Sequence, residues 1–148
     1  MTSVTEQIPE GFSRHFRTSP LTEPWQPLYS KASSGSIILA LRIRNAHCNG
    51  RGFAHGGLIS ALADNAMGLS LIETLRERQQ ENTSGALTIS LSLDFLGPAQ
   101  IGQWLEFAPH VLRAGGSLGF VDCLVQADGT PVARGNATFR VVKAANAD

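Results

Sequence analysis

From Ser36 to Arg44 the chain reads Ser-Ile-Ile-Leu-Ala-Leu-Arg-Ile-Arg, with Leu39, Leu41 and Ile43 alternating against smaller or charged partners. A period of two is that of a half-buried strand. Between Leu58 and about Gln79 the period lengthens. Leu58, Leu62, Ala66, Leu69 and Ile72 fall in one stripe at about 100° per residue, which predicts one long helix and its core face. After Asn82–Gly85 the period returns to two. Leu87, Ile89, Leu91, Leu93 and Phe95 alternate with Thr88, Ser90, Ser92 and Asp94, predicting a strand with one apolar face that Gly97-Pro98 ends. Three more strand patterns cover 103–112, 118–125 and 132–142. Ala114-Gly-Gly-Ser117 and Asp128-Gly129 join them, and both are hairpin signals.

The predicted order is strand, long helix, then four strands in hairpin succession. One helix amid antiparallel strands implies an α+β domain with the helix packed on a sheet face. The organisation expected is an N-terminal arm over 1–28, a single domain over 29–143 and a short tail over 144–148. The arm holds Pro9, Pro20, Pro24 and Pro27, four of the seven prolines, and is expected to be loosely held, with one helical turn over 11–17.

Composition narrows the function classes. The 148 residues are 43% hydrophobic and 16% charged, with zero formal net charge, so no basic face argues for nucleic acid or an anionic membrane. A neutral surface on a small domain favours self-association. Cys48 and Cys123 are too few for a disulfide framework and are expected to be reduced, in a cytoplasmic protein. Asp64 and Asn65 interrupt the apolar run from Leu58 to Ile72, so no membrane span is expected. The first residues, MTSVTEQIPEGFSRHF, lack the basic start and apolar run of a secretory signal. His15, His47 and His110 make no metal-ligand spacing with one another or with the cysteines, and neither metal nor cofactor is expected.

The candidate chemistry lies on the helix face away from the apolar stripe. Gly57, Ser60, Ala61, Asp64 and Gly68 cluster within roughly 100° there. Aspartate is a poor mid-helix residue; surrounded by small residues, its carboxylate is open to close approach by a ligand or a second chain. Gly56 and Gly57 stand at the helix start, where the first N–H groups lack intrahelical partners and the dipole is positive. An amide there can stabilise an oxyanion, and glycine lets a carbonyl come near. His55 precedes them, placed either to fix the loop or to polarise a carbonyl. The glycine-dense loop 49–57 is neither a dinucleotide-binding fingerprint nor a P-loop, and no G-x-S-x-G elbow is present.

The pattern Asn49-x5-His55-Gly56-Gly57-x6-Asp64 resembles the 4-hydroxybenzoyl-CoA thioesterase superfamily, and within it the phenylacetic-acid-pathway (PaaI-like) thioesterases. The resemblance runs from about Tyr29 to Val142. It includes Asp94-Phe-Leu-Gly-Pro98 and Arg113-Ala-Gly-Gly-Ser117. It implies a hotdog fold, an antiparallel sheet wrapped around a central helix, with two protomers joined through one continuous sheet as a homodimer or homotetramer. It implies acyl-CoA as substrate and a site shared between protomers. One protomer supplies the residues matching Asn49, His55 and Gly56, the other those matching Asp64 and Thr88. In that scheme Gly56 N–H is the oxyanion donor, Asn49 orients water or the carbonyl, and Thr88 helps hold the water. Asp64 is general base or nucleophile. Gly57, Arg113, Gly115 and Ser117 are the implied substrate-binding positions.

Two other readings compete with hydrolysis. A non-catalytic acyl-CoA-binding module would retain ligand without releasing thiol. A hotdog enoyl-thioester hydratase or dehydratase would use a His and an acid in another arrangement. The acyl group itself is not readable: Phe53, Met67 and Leu71 are candidates to line its pocket and equally plausible as core or interface residues.

Overall fold

The computed structural model describes residues 6–80 and 82–145. It contains seven strands and one long helix. The strands are β1 (Ser13–Arg14), β2 (Tyr29–Ser33), β3 (Ser36–Arg42), β4 (Thr83–Phe95), β5 (Trp104–Ala114), β6 (Leu118–Ala127) and β7 (Thr130–Lys143). The helix α1 spans Gly56–Glu77, between β3 and β4. All neighbours pair antiparallel, in the order β1-β2-β3-β5-β6-β7-β4.

The order corrects one expectation. β5, β6 and β7 are successive hairpins, but β4 does not pair with β5; it crosses to the far edge and pairs with β7. A glycine-proline break after the strand carries the chain out of the hairpin path. The turn between β6 and β7 is as the sequence indicated. Asp128 and Gly129 both have positive φ (46° and 82°), the two-residue turn whose twist suits a hairpin.

By length and mean hydropathy α1 could cross a bilayer. Instead eleven of its residues are buried in the described structure, so it is the core helix of an α+β domain, wrapped by the sheet as the hotdog arrangement requires. The buried face is rotated from the predicted stripe. Leu58, Leu62, Met67, Leu71 and Leu75 lie at its centre, each at most 4% exposed, while Leu69 is only half-buried. Two hydroxyls fix the helix to the β2–β3 hairpin. Ser70 Oγ accepts from Ile37 N–H at 2.9 Å and Thr74 Oγ1 donates to Gly35 O at 2.8 Å. Gly119 is required by packing: a β-carbon there would lie 2.4 Å from Leu71 Cδ2.

The N-terminal segment departs most from expectation. The stretch 11–17 is not a helical turn; Ser13–Arg14 pair with β2, and the short helical turn (Glu23–Trp25) falls later. Nor is the arm loose. Phe12 packs edge-on against Trp104 at 5.3 Å, beside the buried Tyr29 and Ala40. His47 Nε2 bonds Trp25 O at 2.9 Å, and the Arg44 guanidinium donates to Pro24 O and Gln26 O. Tyr29–Ser33, inside the domain but without an alternating pattern, is a strand that periodicity does not reveal.

Candidate active site

α1 starts at the glycine pair because His55 caps it. His55 is extended (φ −67°, ψ 135°) and its Nδ1 accepts from Gly57 N–H at 2.8 Å. That satisfies one of the orphan amides of the first turn and places the ring proton on Nε2, free to donate. A β-carbon at Gly57 would stand 3.0 Å from the same nitrogen, a tight contact that glycine avoids. Among the described residues none accepts from Gly56 N–H. The amide therefore sits open at the positive end of the helix dipole, with the ring of Phe95 beside it, 3.3 Å from where a β-carbon would be.

Asn49 closes the glycine loop. Its Oδ1 accepts from Arg51 N–H at 2.9 Å and Phe53 N–H at 3.2 Å, and its own N–H bonds Phe53 O at 2.8 Å. The carboxamide oxygen is thus engaged in holding the loop, and among the described residues the amide nitrogen has no acceptor of its own. Behind the loop His47 is buried, its Nδ1 accepting from Arg44 N–H at 3.0 Å. Burial holds its imidazole below the ordinary value; the bond to Trp25 O acts in the opposite direction, and Arg44 adds to the lowering.

Two turns further along α1, Asp64 is half-buried, and Thr88 Oγ1 donates to its Oδ1 at 2.7 Å. This is a charge-assisted bond that fixes one carboxylate oxygen and leaves the other available. Thr88 reaches Asp64 because of a β-bulge. The register runs Thr88↔Phe139 and then Ser90↔Thr138, so Ile89 is the extra residue. Before the bulge Thr88 shares the helix-facing side with Phe139; after it Leu91, Leu93 and Phe95 take that side, opposite Ala137, Gly135 and Ala133. The single apolar face predicted for this strand is therefore two half-faces of opposite phase.

Ser60 and Gly68 keep their expected places beside Asp64. Ser60 Oγ bonds back to Gly56 O at 2.8 Å, and a β-carbon at Gly68 would come 3.4 Å from Phe139. Clefts flank the carboxylate. One of about 330 Å³ is lined by Ala61, Asp64, Asn65 and arm residues Arg17 to Thr22; another of about 300 Å³ is lined by Asp64, Gly68, Leu69, Ile72, Thr88 and Phe139. Arg17 lines both. Sequence reasoning missed the arm here, since turn residues report local bends and carry no signal of what they lie against.

The remaining candidates lie elsewhere in the chain. Arg113 pairs with Phe120 on the face away from α1, and Gly115 N–H bonds Leu118 O at 2.8 Å within the hairpin turn. Ser117 O accepts from Val141 N–H. Gly119, Phe139 and Thr88 form one row across the sheet, so this hairpin stands two strands, about 10 Å, from Thr88. Phe53 is half-buried, while Met67 and Leu71 are fully buried core residues rather than pocket lining. Gly56 and Asp64 themselves are eight residues apart on one helix, about 12 Å along its axis.

A model of the thioesterase superfamily matches residues 51–133, from the glycine loop through most of the sheet and more than half the chain. A Pseudomonas aeruginosa protein provisionally named an esterase is 34% identical over 90% of this chain and 97% of its own. Acyl-coenzyme A thioesterase 13 of Homo sapiens is 29% identical, over 72% of this chain and 74% of its own. The E. coli PaaI protein from the phenylacetic acid degradation operon shares the fold, with a TM-score of 0.65 at 21% identity over 74% of this chain and 75% of PaaI. On the family match and the 34% relative together, the chain belongs to the thioesterase superfamily.

Proposed function

We propose that the protein is an acyl-CoA thioesterase whose site is completed by a second copy of the chain. The observation that carries it is the pairing of a carboxylate oriented by Thr88 with an unpartnered glycine amide at a capped helix start. Relatives named acyl-CoA thioesterase supply the substrate class. Since about 12 Å separates the two groups within one chain, the Gly56 amide that serves Asp64 belongs to a neighbour.

The route to that neighbour is β4. It is the edge of the sheet, 13 residues long, with Leu87 61%, Ile89 58% and Phe95 54% exposed. A long apolar edge with unpaired backbone groups is a template for another strand. Two β4 edges paired about a two-fold axis would join the sheets into one and bring each α1 alongside its counterpart. A homotetramer would be two such dimers. Cys48 and Cys123 are free thiols, which supports a reducing, cytoplasmic setting.

In this mechanism the thioester carbonyl points at Gly56 N–H, with Asn49 Nδ2 and His55 Nε2 as neighbouring donors. Asp64 takes a proton from water as its oxygen attacks the carbonyl carbon. The C–S bond then breaks and the proton passes to the CoA thiolate, giving free acid and CoA. An oxyanion donor is worth about 3 kcal/mol of barrier and a general base about 10² to 10⁴ in rate. Attack by Asp64 itself, through a mixed anhydride, is the variant route; single turnover in ¹⁸O water would then label the carboxylate. A screen of acyl-CoAs with a thiol reagent should show release by the wild type and a loss of at least 10²-fold in Asp64→Ala. Wild-type turnover in a folded Asp64→Ala protein removes Asp64 from the mechanism, and binding without thiol release favours the binding-module reading.

A further inference from the structure

We infer that the cleft between α1 and β4 selects acyl groups that end in a second negative charge, a carboxylate at the far end of a medium-length chain, through Arg17 and Arg76. The inference rests on the thioesterase reading, because it takes this cleft as the seat of the acyl group.

The cleft starts at Asp64 and Thr88 and follows α1 past Leu69 and Ile72 to Arg76, three turns or about 18 Å. Leu69, Ile72, Ala86 and Phe139 are its apolar lining. Phe139 is 2% exposed and Ile72 9%, and Gly68 lies against the Phe139 ring, where a β-carbon would stand 3.4 Å from it. That stretch accommodates methylenes. Two guanidinium groups border the cleft beside this apolar lining and the polar Asn65, Ser84 and Thr88: Arg17 from the arm and Arg76 from the last turn of α1. Long helical side chains lean toward the helix N-terminus, which turns Arg76 back over the cleft in the direction of Asp64.

Neither cation is engaged elsewhere. Among the described residues the one ion pair is Arg134–Asp94, on the other face of the sheet. The helix C-terminus has its own cation in Arg78, whose Nη1 bonds Ala114 O at 3.3 Å. Against the single carboxylate of Asp64 the cleft therefore carries two fixed positive charges. A neutral acyl tail meets neither, whereas a terminal carboxylate matches the planar, two-pronged donor that arginine presents.

The test compares octanedioyl-CoA, as its monothioester, with octanoyl-CoA. Bonds to a charged group are worth about 10- to 100-fold, so wild-type kcat/KM should favour octanedioyl-CoA by at least about 10-fold. That ratio should fall by a similar factor in Arg17→Ala and in Arg76→Ala. A wild-type ratio near one overturns the inference. So does an equal loss on both substrates in the variants, which is the signature of guanidinium groups that hold CoA phosphates. Calorimetric affinities of both thioesters for Asp64→Asn protein separate this from the mechanism. Tighter binding of octanedioyl-CoA without turnover by the wild type would sink the hydrolase and leave the cationic cleft standing; equal affinities sink the cleft even where both thioesters are hydrolysed.

Discussion

At the residue scale the proposed mechanism depends on how one carboxylate is held. Thr88 donates to Asp64 Oδ1 at 2.7 Å, which leaves the other oxygen to receive a proton. Thr88→Val keeps the shape and removes the donor. The expected result is a fall in kcat of about 10-fold or more, from a lost bond to a charged group, with KM little changed and an unaltered melting curve; a matching rise in KM instead would make Thr88 a binding residue. Asp64 stood out in the sequence as a candidate, because a mid-helix Asp among Ser60, Ala61 and Gly68 has no packing reason to be there. Gly56 was a candidate from its place at a helix start, and α1 does begin there. Thr88 entered the candidate site only through the resemblance, which did not foretell its bond to Asp64, since simple alternation put Thr88 on the face opposite Leu91. The inserted Ile89 reverses that phase, and a bulge leaves no mark in a pattern of apolar and polar residues. Met67 and Leu71 show the converse limit. Both are fully buried, and neither size nor hydrophobicity separates core from pocket before the packing is known.

At the element scale, periodicity located the helix, β3 and the four later strands, but not how β4 is paired, where its apolar face changes side, or which stripe of α1 is most deeply buried. Alternation states that a strand has two faces; it does not say which neighbour lies at its edge. The arm was opaque for a related reason. Its fixing points are single bonds made by residues far along the chain, chiefly His47 and Arg44 to the backbone around Trp25. His47 accepts from Arg44 N–H and bonds Trp25 O, an arrangement that requires the neutral ring. Burial, first among its causes, keeps its pKa below 6.5 in the folded chain. The unfolded chain therefore binds a proton that the folded chain refuses. The stability is complete above about pH 6.5 and is lost as pH falls below it, toward the lowered folded value. His15, also buried and lowered, acts in the same sense. Thermal unfolding followed from pH 7 to pH 5 should show a falling midpoint, and His47→Asn should start lower with a shallower slope. An unchanged slope would mean that carboxylates alone set the acid sensitivity.

At the scale of the whole molecule, the proposed mechanism gives one chain two half-sites that it cannot use together. Gly56 and Asp64 ride on the same rigid helix about 12 Å apart, and no rotation of side chains closes that gap, because the amide is backbone. Two chains related by a two-fold axis along β4 would each lend an amide to the other's carboxylate, giving two complete sites per pair. That geometry makes a demand that a site contained within one chain does not. Asn49→Asp retains the acceptor that holds Arg51 and Phe53 N–H but loses the Nδ2 donor, while Asp64→Ala removes the base; each protein alone should be nearly inactive. Mixed in equal amounts after reversible unfolding, half the dimers are hybrids, and each hybrid has one site with both Asn49 and Asp64 intact. Activity should return to about a quarter of the wild-type value. If each site were built within a single protomer, every site in the mixture would still carry one lesion and no activity would return. Recovery near a quarter places the two halves on different chains, and its absence in mixtures shown to contain hybrids puts them on one.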